Sequence, residues 1–179
     1  MRVDLDLKSL VRTILDYPKP GIMFRDVTTL LKDASGFKAC IELLAEPYRT
    51  AGVEAVAGIE ARGFILGGAV ADRLGAGFVP IRKKGKLPWR AIGQEYQLEY
   101  GTDVIEVHED GIKARERVLI VDDLIATGGT AEAAHKLIER VGGVTVGAAF
   151  IIDLPDLGGA ARLHARGVPC HSLIAFAGH

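Results

Sequence analysis

Apolar residues recur along this chain in two alternating rhythms, one of helical and one of strand period. Leu7, Leu10, Val11 and Ile14 fall at helical spacing behind Asp4 and Asp6, either of which can cap a helix. A first helix is therefore predicted, and it must stop by Tyr17, where YPKPG places two prolines and a glycine. Phe37, Cys40, Ile41, Leu44 and Tyr48 form a second helical stripe, entered through Ser35 and Gly36. Pro47 interrupts it at a cost of about 3 kcal/mol inside a helix, so a kink or an early end is expected. From residue 53 the rhythm changes. Residues 53–59 read as a strand, 60–63 as a turn, 64–74 as a helix closed by Gly75, and 77–81 as a second strand. Val118, Leu119, Ile120 and Val121 contain no polar position, as expected of a parallel strand covered on both faces. A helix over 130–141 carries Ala131, Ala134, Leu137, Ile138 and Val141 on one side and ends at Gly142 and Gly143. A strand over 144–152, a short helix over 159–166 and a last strand over 168–176 complete the series. Strands alternating with helices predict an α/β fold, a central parallel sheet with right-handed crossovers. One stretch breaks the alternation. Tyr96, Leu98 and Tyr100 alternate with Gln97 and Glu99, and the chain turns at Gly101 into 104–107, which predicts an inserted antiparallel hairpin.

Composition narrows the possible functions. The 179 residues suit one domain. With 49% apolar residues the chain can build a core, and a net charge of −1 supplies no global field towards nucleic acid or anionic lipid, so neither partner is expected. Two cysteines, Cys40 and Cys170, cannot form a disulfide framework or a four-ligand zinc site, and reduced thiols in a cytoplasmic protein are expected. The first ten residues mix charges among apolar positions, unlike a signal peptide, and no run of 18 uncharged apolar residues suggests a membrane span. The five histidines lack metal-ligand spacing. His135 reads as lying on the polar side of its helix, with surface or satisfied positions expected for it and the others.

Candidate chemistry gathers where strands end, since ligands of parallel sheets sit beyond the carboxyl ends of the strands. After 118–121 come Asp122 and Asp123, then Leu124, Ile125, Ala126, Thr127, Gly128, Gly129 and Thr130 at the start of a helix. The glycines let backbone approach an anion, the threonines add hydroxyl donors, and the helix N-terminus supplies free N–H groups. Two carboxylates beside a bare phosphate would repel it. They make sense if the ligand also presents hydroxyls or a divalent cation, as a ribose 5-phosphate does. The alternative is an ordinary strand-to-helix turn with polar caps. Arg62, in the turn after 53–59, is a plausible diphosphate clamp or else a surface arginine. The basic run Arg82, Lys83, Lys84 and Lys86 follows the second strand; it reads as a solvated loop, or as facing the same diphosphate. No G-x-x-x-x-G-K-[ST] motif is present, and Gly75 and Gly77 lack the third glycine of a dinucleotide fingerprint.

The stretch VDDLIATGGTA resembles the phosphoribosyl-diphosphate signature of the type I phosphoribosyltransferases. PKPGIMFRD, IEARGF, IRKKGKLP and QLEYGTD, in that order, and SLIAF near the end resemble the family's adenine branch, so the likeness spans nearly the whole chain. It implies a type I phosphoribosyltransferase fold with a hairpin lid at about 83–107 and a small N-terminal hood at about 1–35. It also implies transfer of 5-phosphoribose from phosphoribosyl diphosphate to N9 of adenine, giving AMP and diphosphate, with Mg²⁺. By the same resemblance Phe24 stacks on adenine with Leu154 on the other face, and backbone at Met23 and Arg25 reads N6 and N1. Asp122 and Asp123 hold the ribose hydroxyls directly or through water or Mg²⁺, which the substrate itself mainly carries. Residues Ala126, Thr127, Gly128, Gly129 and Thr130 hold the 5-phosphate. Arg62 holds the diphosphate with Arg82, Lys83 and Lys86 assisting, partly across the interface of a homodimer. Glu99 in the lid is the candidate acid/base. Plain core packing for Phe24 and Leu154, and a solvated position for Glu99 beside Glu95, stay open. Relatives hold a non-proline cis peptide between the positions matching Glu60 and Ala61. The 6-oxopurine transferases usually carry a third acid where this chain has Ala126, which favours adenine. Alternatives are a 6-oxopurine or orotate transferase, or a non-catalytic regulator that binds phosphoribosyl diphosphate. Two departures stand out. Gly158, Gly159 and Ala160 replace a frequent Asn-Gly-Arg, and Pro47 interrupts a helix the family usually keeps.

Overall fold

The apolar run at 118–121 occupies the middle of a sheet, as its composition requires. The computed structural model describes residues 5–98 and 100–178. The run belongs to β7 (Arg117–Ile125), with β3 (Ala55–Ile59) on one side and β8 (Val144–Asp153) on the other, all parallel. β4 (Gly77–Lys83) extends the parallel sheet beyond β3, and β9 (Cys170–Ala175) extends it beyond β8. The inserted hairpin, β5 (Ala91–Gln97) and β6 (Thr102–His108), joins the edge at β4 through antiparallel pairing of β6. The sheet order is β5-β6-β4-β3-β7-β8-β9. Strand residues alternate between two cores, as period two demands. Val118 and Ile120 pack with Leu137 and Ile138 of α4 (Gly129–Arg140), while Leu119 and Val121 pack with Leu66 and Val70 of α3 (Arg62–Leu74) and Leu44 of α2 (Ala34–Ala45). Gly75 ends α3 in the left-handed conformation (φ 66°). α5 (Gly159–Ala165) links β8 to β9, and no helix among the described residues is long and apolar enough to cross a membrane.

The N-terminal segment departs from the pattern. Instead of a helix to Tyr17 there is one 3-10 turn at Leu7–Leu10, capped by Asp6, and then β1 (Arg12–Leu15) paired antiparallel with β2 (Met23–Asp26). The helical spacing was coincidental: β-branched Thr13 and Ile14 suit a strand, and Arg12 reaches Asp26 across the pair. A short helix, α1 (Thr28–Lys32), follows. Pro47 ends α2 early, at Ala45, and the chain continues as a 3-10 turn over Glu46–Tyr48. His135 does not lie on the polar side of its helix but is buried, and it is satisfied there, with Nδ1 2.9 Å from Thr145 Oγ1. α4 turns a broader face inward than its apolar stripe suggested, and Glu132 is buried with it. Cys40 is buried and Cys170 half-buried, both unpaired, and burial pushes the Cys40 thiol up to about 12.

Candidate active site

β7 delivers the acidic pair because it continues past 121, pairing Asp122 with Phe150 and Ile125 with Asp153 of β8. The loop beyond it then turns into α4 through Gly128 at φ 80°, a conformation that disfavours a side chain. Space forbids one as well: a Cβ on Gly128 would stand 2.9 Å from Gly159 Cα, and one on Gly159 2.8 Å from Gly128 N. The Gly159 N–H donates to Ala126 O at 3.0 Å. The first turn of α5 therefore lies directly on the loop backbone, which gives Gly159 a packing role, while Gly158 supplies a left-handed backbone at φ 77° before it.

A cavity of about 910 Å³ opens over this loop. One set of lining residues comes from the sheet and its turns: Arg62, Asp122, Asp123 and 126–130. The other comes from β2 and the end of β8: Met23, Phe24, Arg25 and Leu154. The structure thus brings together both groups singled out in the sequence. Arg62 Nε donates to Asp123 Oδ2, and the Asp123 N–H donates to Asp122 Oδ1 at 2.8 Å. Desolvation first, and then the neighbouring Asp123 carboxylate, raise Asp122 well above the usual carboxylate range. Two adjacent carboxylates supply hard oxygen donors, and among the described residues no three His, Cys, Asp or Glu side chains converge. Such a pair fits a divalent cation whose remaining oxygens come from a substrate.

Arg82, Lys83 and Lys86 do not line this cavity. Arg82 Nη2 donates to Glu60 Oε1 at 3.1 Å, the Lys83 N–H to Glu60 Oε2 at 3.0 Å, and Lys83 Nζ lies 3.0 Å from Asp103 Oδ2. The Arg82 hydrogen bond, with that from Lys83, lowers the Glu60 pKa. The Glu60–Ala61 peptide is cis, as the resemblance led one to expect.

The β2 set is held by contacts distant in sequence. The Arg25 guanidinium lies 4.1 Å from the Phe176 ring centre and donates to Thr13 Oγ1 at 2.6 Å. Phe24 meets Tyr17 edge-on at 5.3 Å. Asp26, which ends β2, accepts from the Thr28 hydroxyl at 2.6 Å, the Thr28 N–H at 2.9 Å and Arg12 at 2.5 Å. These bonds lower its pKa to about 2.

Glu99 lies outside the described residues. Its neighbours Gln97 and Leu98 line the cavity, and Lys19 Nζ sits 4.3 Å from the Tyr100 ring centre. Glu95 is exposed on β5. Sequence reasoning missed Arg162 and Leu157, which also line the cavity. Arg162 follows Gly159 by three residues, one helical turn, and that spacing was the available signal.

The family model of the phosphoribosyl transferase domain matches residues 26–176. The chain is 63% identical over 179 residues, covering 100% of both, to an adenine phosphoribosyltransferase of Bradyrhizobium sp. (strain ORS 278). The crystal structure of adenine phosphoribosyltransferase from Rhodothermus marinus superposes with a TM-score of 0.90 at 53% identity, covering 95% of this chain and 96% of that one. The Saccharomyces cerevisiae adenine phosphoribosyltransferase, solved with adenine and an imino-altritol bisphosphate, superposes with a TM-score of 0.88 at 35% identity, covering 94% and 96%.

Proposed function

The chain belongs to the phosphoribosyl transferase domain family and, within it, to the adenine phosphoribosyltransferases, and from that membership we propose how its residues carry the transfer of 5-phosphoribose from phosphoribosyl diphosphate to adenine. It is a pentosyltransferase of purine salvage whose products are AMP and diphosphate. The observation that carries the residue assignment is one cavity lined jointly by an anion-binding loop with two carboxylates and by an aromatic and aliphatic pair, Phe24 and Leu154.

The 5-phosphate sits on 126–130 at the N-terminus of α4. Asp122 and Asp123 take the ribose hydroxyls, and Arg62 exchanges Asp123 for the diphosphate as substrate arrives. Phe24 and Leu154 sandwich the base, and β2 backbone at Met23 and Arg25 reads its edge. Adenine N9 forms its bond to the ribose anomeric carbon while the bond from that carbon to the diphosphate oxygen breaks. The proton that adenine loses goes to Glu99, carried over the base by the lid. Water would capture a ribosyl centre of oxocarbenium character, so the lid at about 83–107 also protects the reaction. Asp122 and Asp123 would hold the Mg²⁺ that the substrate mainly carries, and when bound it would supply charge to offset that on the departing diphosphate. One domain, comprising the sheet, the hood at about 1–35 and this lid, performs the whole reaction. A cytoplasmic site of action is supported by the two unpaired thiols.

Arg82, absent from this chain's own cavity, belongs to a homodimer in which it approaches the neighbouring subunit's diphosphate, with Lys83 and Lys86 beside it. Arg82→Ala is expected to weaken phosphoribosyl-diphosphate binding more than adenine binding. A monomeric mass in light scattering at micromolar concentration, with full activity, would refute the cross-subunit role. The functional reading is tested by supplying protein, Mg²⁺ and phosphoribosyl diphosphate with adenine, hypoxanthine or guanine separately. AMP is expected from adenine, and comparable turnover of either oxopurine overturns the base assignment.

A further inference from the structure

The loop Ala126, Thr127, Gly128, Gly129 and Thr130 offers an anion backbone N–H groups, hydroxyls and a helix N-terminus, but no side-chain cation. A phosphate monoester carries nearly two negative charges at neutral pH, and a cation from elsewhere in the fold would bind it more strongly. Among the described residues lining the cavity, the cations are Arg25, Arg62 and Arg162. Two of them are engaged away from the loop: Arg25 with Phe176 and Thr13, Arg62 with Asp123.

Arg162 is placed differently. It rises from α5, whose first residue rests on the loop backbone, and a Cβ at Gly129 would stand 3.8 Å from its Nη1. Glu132 in the first turn of α4, 3% exposed, accepts from Arg162 through Nε. That leaves both Nη groups of Arg162 without a protein partner among the described residues. The same carboxylate accepts from Arg166 Nε at 2.7 Å and lies 3.7 Å from Lys136 Nζ. One buried negative charge is thus surrounded by three positive ones, and of these Arg162 lies beside the loop.

We infer that Arg162 is the side-chain cation of the phosphate cradle, donating to the 5-phosphate of phosphoribosyl diphosphate and of AMP, and that Glu132 is the residue that positions it. The inference rests on the phosphoribosyl-transfer reading and adds to it residues outside 122–130. Guanidinium suits the task, since one nitrogen can be anchored while the others meet phosphate oxygens.

AMP and adenosine differ by the phosphate alone, so their binding to the full chain, measured by calorimetry, isolates the contact. Arg162→Ala is expected to weaken AMP by about 10–100-fold, the range of a hydrogen bond between charged groups, and adenosine by less than about twofold. Arg162→Lys keeps the charge and should recover part of the loss. Phosphorus NMR gives a readout that a structural role would not move: the second ionisation of bound AMP should shift upward in Arg162→Ala. Glu132→Gln should show the same AMP-over-adenosine pattern at smaller size, with the KM for phosphoribosyl diphosphate raised more than kcat is lowered. Should Arg162→Ala fail to fold, Arg162→Gln keeps the length of the side chain and carries the same expectation. Equal losses for AMP and adenosine, or AMP binding within about twofold of wild type in a folded variant, overturn the inference. A wild-type protein that binds neither AMP nor adenine removes the functional reading itself, a separate and recognisable result.

Discussion

Two sets of side chains line one cavity, and different forces hold each in place. Residues 122–130 extend from β7, whose positions 118–121 are fully buried between two parallel neighbours. Met23, Phe24 and Arg25 belong to a two-stranded hairpin whose residues are mostly exposed or half-buried, and such a hairpin is marginal alone. Its anchors are single contacts: Arg12 to Asp26, Arg25 to Phe176, Tyr17 to Phe24. The side we assign to phosphate and ribose inherits its precision from the core, whereas the side we assign to the base depends on a few polar and aromatic contacts and on the β5–β6 hairpin. Charge placement needs a rigid cradle, while a base that must enter and leave needs elements that open at small free-energy cost.

The sharpest test of that division is Glu99, which we assign to the base side. General-base help is typically worth 10²–10⁴-fold, about 3–5 kcal/mol of barrier. Glu99→Gln should lower kcat by that order and leave phosphoribosyl-diphosphate binding nearly unchanged, with Glu95→Gln mild as the control. If the Gln variant keeps more than about a third of wild-type kcat, with chemistry shown to limit the rate, Glu99 is a bystander. Next in size comes the rigid side. Gly159→Ala would set a methyl group 2.7 Å from Ile125 Cγ1 and 2.8 Å from Gly128 N. Overpacking of this kind costs about 1–3 kcal/mol. It should push the loop out of register, raising the KM for phosphoribosyl diphosphate while adenine affinity holds. Equal changes in both would mean that the two sides are not mechanically separate.

The same division explains what could be read before the structure was known. β3, β4, β7 and β8 are marked by apolar runs, and the Asp122–Asp123 pair is contiguous with its glycine loop, so the strand end we assign to the phosphate was legible from spacing. The hood was misread because four residues at helical spacing, Leu7 to Ile14, cannot reveal a pairing partner ten or more positions away. Arg162 escaped for a related reason: its place beside the loop depends on packing of α5 and on Glu132, thirty positions earlier, neither of which the local pattern displays. The stripe on α4 likewise gave no sign that Glu132 and His135 are buried, since their partners lie on other elements.

Two carboxylates, one on each side, should respond to pH in opposite senses. Asp26 has its pKa lowered from 3.8 to about 2, so its bonds stabilise the fold above pH 3.8 and that contribution is lost as pH falls towards 2. Asp26→Asn should therefore lower Tm by about 2–5 °C at neutral pH. The gap to wild type should close on acidification, and adenine KM should rise with the loosened hood. Asp122 is raised above 3.8 instead. Its favourable contribution is complete below 3.8 and is lost as pH rises through the shifted value, so the ionised form costs stability. Asp122→Asn should raise Tm by an amount that grows with pH above about 4, while weakening phosphoribosyl-diphosphate binding. Thermal scans across pH 3–8 check both signs, and parallel behaviour of the two variants would contradict the electrostatic contrast.

The smallest expected effect lies where the two hairpins meet. Lys19, in the turn between β1 and β2, places its ammonium 4.3 Å from the ring centre of Tyr100 at the tip of the β5–β6 hairpin. Tyr100 is 74% exposed, and at such a site a cation over an aromatic face is worth about 0.5–1 kcal/mol, or about two- to fivefold in an equilibrium. The contact joins the β1–β2 turn to the tip of the β5–β6 hairpin, so on the proposed reading of these as hood and lid its loss should shift the lid towards open and act on the base side alone. Lys19→Ala is expected to raise the adenine KM about two- to fivefold and leave the KM for phosphoribosyl diphosphate unchanged. Lys19→Arg, which keeps the cation, and Tyr100→Phe, which keeps the ring, should both stay near wild type. Because Tyr100 is next to Glu99, a double-mutant cycle of Lys19→Ala with Tyr100→Leu separates the contact from a disturbance of the acid/base residue. If the two substitutions add without coupling, hood and lid close independently, and the base side is two movable parts rather than one latched unit.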